Sequence, residues 1–255
     1  MYNKKSVEWA HKKEINIYRH PVLSDEEKGI KKNTKLIIRR KKYSEMNEHE
    51  RTVSNKRRQS YYQRKIRYLM DLAIHNKLNL FITLTFDEKI TEYEEAKYRW
   101  ELFLKRLKDK YGKDIKYIAT YEKQKRGAYH YHVLTNMGFT PVKELSKVWK
   151  YGYVYVEEIK AECQEDQIRQ IRYVFKYIVK EVMEEMDDNI NRKRKVYCSR
   201  NLFKPTVIKE ITDQTVEDVI FENMEDIIEN DEYDMKNFQG IKINKVDNIK
   251  IKKMR

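Results

Sequence analysis

The chain has 255 residues, 40% of them hydrophobic and 38% charged, with only six glycines and three prolines, so it has enough apolar material for a core and few long flexible linkers. A net charge of +14 attracts polyanions over long range, nucleic acid first and an anionic membrane surface second. No apolar run approaches the roughly 18 residues that cross a bilayer, residues 1–14 lack the apolar stretch of a signal peptide, and Cys163 and Cys198 show neither zinc spacing nor a disulfide framework, so a cytoplasmic protein is expected.

Residues 1–76 read as a basic N-terminal extension whose clearest element is a helix over about 54–74. Tyr62, Ile66, Leu69 and Ala73 follow steps of four, three and four, which places them on one helical face. Lys56, Arg57, Arg58, Arg64, Lys65 and Arg67 decorate the rest, a pattern that suits either a solvated surface or contact with DNA phosphates.

Residues 79–186 read as the core domain. Phe81-Ile-Thr-Leu-Thr-Phe86 alternates as a strand, with Ile82, Leu84 and Phe86 on one face and Thr83 and Thr85 on the other. A helix is predicted over 91–111, opened by a Thr91/Glu94 capping box and closed by Gly112. Its apolar stripe is Tyr93, Ala96, Trp100, Phe103, Leu104, Leu107 and Tyr111. Strands follow at 115–122 and 128–135, joined by a turn around Lys125-Arg126-Gly127. A short helix at 141–149, a strand at 153–159 and a long helix at about 164–186 complete the domain. The order β-α-β-β-α-β-α predicts an α+β fold of the split βαβ, ferredoxin-like kind, an antiparallel sheet with flanking helices.

Residues 187–234 form a C-terminal region in which 211–234 hold ten acidic residues and no basic one, leaving +24 on the remainder. Val216, Ile220, Met224 and Ile227 repeat as in a helix, which could lie solvated, bind a partner or dock on the basic surface. Residues 235–255 read as a lysine-rich basic tail open to disorder.

The segment Tyr121 to His132 carries the first chemical signal. His130 and His132 are one residue apart, so on a strand both imidazoles share a face while Tyr129, Tyr131 and Val133 take the other. If the hairpin is centred on Arg126, Glu122 lies opposite His130 and joins that face. Two imidazoles and a carboxylate suit a catalytic divalent cation; a His-x-His pair alone suits an ordinary polar surface equally well.

The second signal is Arg172-Tyr-Val-Phe-Lys-Tyr-Ile-Val-Lys180. Ile168, Ile171, Phe175, Ile178 and Val182 make the apolar stripe of the long helix, and Tyr173 and Tyr177 fall away from it, one turn apart, with Lys176 and Lys180 on the same polar side. A phenol has an ordinary pKa near about 10, and neighbouring positive charge favours its phenolate. Such tyrosines suit attack on a phosphate, or packing beneath a C-terminal segment.

Taken in order, these segments resemble the HUH endonuclease superfamily, and more narrowly the rolling-circle replication initiators of single-stranded DNA phages and plasmids. Phe81 to Phe86 is similar to the family's first motif, Glu122 to His132 to its metal motif, and Tyr173-Val-Phe-Lys-Tyr177 to the nucleophile motif of the two-tyrosine branch. Tyr131 stands where the family's name implies a hydrophobic residue. The resemblance covers roughly residues 79–181.

The resemblance implies a metal-dependent nuclease and strand transferase that nicks single-stranded DNA at an origin. Glu122, His130 and His132 would hold Mg2+ or Mn2+, and Tyr173 or Tyr177 would form a 5′-phosphotyrosine link. Lys176 and Lys180 would attend the two nucleophiles, and Lys56, Arg57, Arg58, Arg64, Lys65 and Arg126 would contact DNA. Imidazole-rich ligation is softer than magnesium usually takes, so manganese is expected to serve better in vitro. No Walker-type phosphate loop is present, so a host helicase and polymerase are the expected partners, in a bacterial cytoplasm. The alternatives are a transposase or relaxase of the same superfamily, and a non-catalytic RRM-like nucleic-acid-binding protein.

Overall fold

The structure, a computed structural model, describes residues 1–24, 26–27, 43–87, 90–123, 127–160, 165–173, 175, 179, 196–236 and 241–253. In chain order its strands and helices are β1 (Tyr2–Glu8), β2 (Lys12–Val22), α1 (Glu48–His75), β3 (Leu80–Phe86), α2 (Tyr93–Tyr111), β4 (Tyr117–Lys123), β5 (Tyr129–Thr135), α3 (Val142–Trp149), β6 (Gly152–Glu158), α4 (described over 165–173), β7 (Val196–Cys198), β8 (Thr206–Glu210), α5 (Val216–Glu222), β9 (Ile227–Lys236) and β10 (Lys242–Lys252). They divide into two compact units, one of residues 47–203 and one of residues 1–46 with 204–255. Among the described residues, no helix is long and apolar enough to cross a membrane.

The fold is α+β, with an antiparallel sheet in each unit. In residues 47–203 the sheet order is β6-β3-β5-β4-β7. Its first four strands have the split βαβ arrangement that the element order predicts: β5 lies between β3 and β4, and β3 between β5 and β6, antiparallel at every step. The three-residue β7 adds an edge that its sequence is too short to announce.

Period-two alternation sends Leu80, Ile82, Leu84 and Phe86 of β3 to one face with Tyr129, Tyr131 and Val133 of β5. There they meet Ala96, Trp100, Phe103 and Leu107 of α2 and Leu145, Val148 and Trp149 of α3. Burial of each larger side chain is worth about 1.5–3 kcal/mol, and ring contacts add direction: Trp100 stacks on Tyr131 at 4.9 Å and 6°, and the Trp149 indole donates Nε1–H to the Thr85 carbonyl at 3.1 Å.

Helix α2 ends at Gly112, at φ +100°, as its sequence predicts, but it does not open on a Thr91/Glu94 capping box. It begins at Tyr93 with Glu92 as the cap and no side-chain cap bond, because Tyr93 is fixed from inside. Its hydroxyl pairs with that of Tyr197 at 2.8 Å, and its ring packs on Tyr121 at 5.4 Å. Capping boxes stand instead at Asn47/Glu50 before α1 and at Thr215/Asp218 before α5.

The other unit departs from the sequence reading. Residues 1–22, expected only as part of a basic extension, form β1 and β2, and the lysine-rich tail, expected to be open to disorder, contributes β10. The sheet order is β8-β1-β2-β10-β9, so the two strands from before residues 47–203 lie side by side and are flanked on both sides by strands from after them. Ile15 and Ile17 of β2 and Ile249 and Ile251 of β10 bury against Val219, with Val216, Ile220 and Ile227 around them. The acidic segment is α-helical only at Val216–Glu222, with a 3-10 turn at Met224–Asp226; from Ile227 it is strand β9, paired with β10. Pairing with a lysine-rich strand decides this: Lys242 binds Asp234 at 2.7 Å, and Lys245 and Lys250 bind Glu232 and Glu229.

Candidate functional site

The face of the β6-β3-β5-β4-β7 sheet opposite α2 and α3 carries the polar residues that alternation leaves over. Register assigns them to two rows across four strands. One runs Glu122, His130, Thr85, Tyr153; the next runs Thr120, His132, Thr83, Tyr155. Glu122 is thus the direct cross-strand partner of His130, as the hairpin arithmetic anticipates, and both histidines share its face.

His132 is buried and held from three directions. Glu122 Oε2 lies 3.2 Å from Nε2, Thr83 Oγ1 lies 3.2 Å from Nδ1, and the Phe81 ring stacks on the imidazole at 5.9 Å and 6°. The neutral imidazole has two tautomers here, and only the first makes both hydrogen bonds without a cation. In one, the Thr83 hydroxyl donates to Nδ1 and Nε2–H donates to Glu122. In the other, Nδ1–H donates to Thr83, which turns the Nε2 lone pair and the carboxylate together toward a shared cation. The donor set therefore fits a divalent cation in its chemistry and its backbone register. As the side chains lie, no group of three His, Cys, Asp or Glu among the described residues stands close enough to hold a metal, so ligation by His130 as well requires side-chain rotation.

Tyr173 lies on α4, 60% exposed, while Ile171 and Phe175 of the same helix are buried, which matches the stripe read from the sequence. Tyr177, Lys176 and Lys180 lie outside the described residues, as does Arg126 of the hairpin turn.

The basic helix is longer than expected, with 28 residues from Glu48 to His75, about 42 Å at 1.5 Å per residue. Its buried residues, Leu69, Leu72, Ala73 and Ile74, all fall in the last two turns. Lys56, Arg57 and Arg64 are exposed, and Arg58 and Lys65 are half-buried, Lys65 with its ammonium 5.7 Å from the Tyr62 ring centre.

Sequence reasoning does not find Thr83 and Phe81 as positioning residues for His132. Their alternation on β3 is visible in the sequence; the register that sets Thr83 opposite His132 is not. Tyr153 and Tyr155 escape it for the same reason.

Residues 79–182 match the family model described as Replication-associated protein ORF2, a span of less than half the chain. No curated protein and no solved structure gives a significant match. The matched span takes in β3 to β6, the Glu122/His130/His132 face and Tyr173, and it supports a replication-associated, Rep-type protein acting on DNA.

Proposed function

We propose that this protein is a rolling-circle initiator that nicks and rejoins single-stranded DNA at an origin through a covalent 5′-phosphotyrosine. The observation that carries the reading is the pairing of Glu122 with His130 across the β4–β5 hairpin, with His132 on the same face 3.2 Å from the carboxylate. Bound there, Mg2+ or Mn2+ supplies Lewis-acid polarisation of the scissile phosphate. The phenol oxygen of Tyr173 attacks phosphorus and loses its proton; the bond to the 3′ oxygen breaks, and that oxygen leaves as a hydroxyl able to prime synthesis. Tyr177, four residues further along the sequence, is the nucleophile for the second transfer, and Lys176 and Lys180, each three residues after a tyrosine, are the cations assigned to the two phenols. Host helicase and polymerase would do the unwinding and copying.

The test is to incubate the full chain with manganese and pooled single-stranded oligonucleotides and look for a protein–DNA band that survives denaturation. Each single Tyr→Phe variant at 173 or 177 should retain some adduct and the double variant none, with the linked residue mapped by peptide mass spectrometry. Absence of any adduct with the wild type across the pool would refute nicking and favour a second reading, RRM-like binding without chemistry, for which the exposed aromatics on the sheet face speak.

A further inference from the structure

Each row of the polar face ends on a tyrosine of the edge strand. Tyr153 lies beside Thr85, and Tyr155 beside Thr83. The two residues are 74% and 57% exposed, whereas Val154 and Val156 between and after them pack against the core. The alternation thus sends two large aromatics into solvent on the same face as the histidines.

The placement is rigid. At Gly152, φ is +139°, and a Cβ there would come within 2.3 Å of the Asp87 nitrogen and 2.4 Å of the Thr85 carbonyl oxygen. Only a residue without one lets β6 start this close to the end of β3, which locks Tyr153 next to Thr85. The two tyrosines are one strand repeat apart, about 7 Å, and lie two strand spacings, about 10 Å, from the histidines.

We infer that Tyr153 and Tyr155 form a stacking platform for two bases of single-stranded DNA, adjoining the phosphate held at the Glu122/His130/His132 face. The inference rests on the proposed function for what that phosphate is doing there. Every base presents a π-face, so aromatic stacking holds a strand without reading its sequence, while the net charge of +14 draws the backbone. Exposed Lys150 precedes the platform, and Glu157 follows Tyr155 on the same face, accepting a hydrogen bond from its hydroxyl at 3.4 Å. A phosphate backbone is favoured at the lysine end and repelled at the glutamate end.

The experiment compares binding of the full chain to a fluorescent mixed-sequence DNA strand and to an abasic strand with the same number of phosphates, in chelator so that nothing is cut. Stacking on an aromatic is worth roughly five- to hundredfold in affinity per base, so the wild type should prefer the base-bearing strand by at least about tenfold. Tyr153→Ala with Tyr155→Ala should reduce its affinity to that for the abasic strand and leave the salt dependence unchanged. The double Phe variant should restore the preference. A double Ala variant that still prefers bases as the wild type does, or a wild type without preference, overturns the platform. Both positions are exposed, and thermal melts of the variants establish that they fold. The covalent-adduct assay separates the two ideas: base preference without any adduct sustains the platform and refutes nicking, while adduct without base preference does the reverse.

Discussion

The Tyr131 ring is fully buried between the two histidines' strand and α2, stacked on Trp100, yet its hydroxyl is buried with no hydrogen-bond partner among the described residues. A buried hydroxyl left without a partner costs about 1–3 kcal/mol. Tyr131→Phe keeps the ring and its stack and leaves a void of about 15 Å3, worth about 0.4 kcal/mol at about 24 cal/mol per Å3. The variant should therefore be more stable by about 1–2 kcal/mol, or roughly 2–8 °C in Tm. Desolvation pushes the phenol pKa up from its ordinary value near 10. That contribution is intact below the unfolded-state pKa and is lost as pH rises beyond it, so the alkaline loss of stability should shrink in the variant. Urea melts at neutral pH and at about pH 10.5, beside the unfolded phenol value, measure both effects. Adduct formation should be unchanged, because the hydroxyl is on the sheet face away from the histidines. A variant less stable than the wild type by more than about 0.5 kcal/mol would show that the hydroxyl is satisfied after all and refute the reasoning.

His130→Ala with His132→Ala, or excess chelator with the wild type, should abolish nicking while leaving most salt-sensitive DNA binding; undiminished cleavage in either sample would remove the metal assignment. Neutralising Arg57, Arg58, Arg64 and Lys65 on α1 should flatten the dependence of log affinity on log salt by up to about 0.7 for each phosphate no longer neutralised; an unchanged slope would make α1 a solvated helix. Gly152→Ala should cost about 2–5 kcal/mol, from backbone strain at positive φ and forced separation of β6 from β3. A urea midpoint equal to that of the wild type would mean that the two strands part without cost.

The His130/His132 face was legible because its signal is local: one intervening residue sets a shared face, and a short hairpin brings Glu122 across. Phe81 to Phe86 was legible by alternation alone. Where the partner lies far along the chain, the signal fails. Ile15 and Ile17 alternate, but lysines and glutamates crowd them, and their strand partners on β10 are at 249 and 247. Strand β9 has low intrinsic β-propensity because of its acids, and its conformation comes from pairing with the lysines of β10, so Val216, Ile220, Met224 and Ile227 read as one helix when only the first two lie in α5. The Thr91/Glu94 motif lost to tertiary packing at Tyr93.

The sheet that draws strands from either side of residues 47–203 also sets an order of events during synthesis. Its third and fourth strands in space, β2 and β10, are translated long apart, and β9 has no strand partner but β10 among the described residues. Residues 47–203, inserted between β2 and β8, are made in full before any of the later strands exist. Folding domain by domain as the chain emerges therefore lets the histidine-bearing unit form first, while β1 and β2 wait with an open edge. A ribosome that stops before residue 242 would release a molecule with its histidine-bearing unit assembled and its other sheet missing β10, the strand that joins β2 to β9. Such truncated products should be recognisable by protease sensitivity confined to residues 1–46 and the segment after 203.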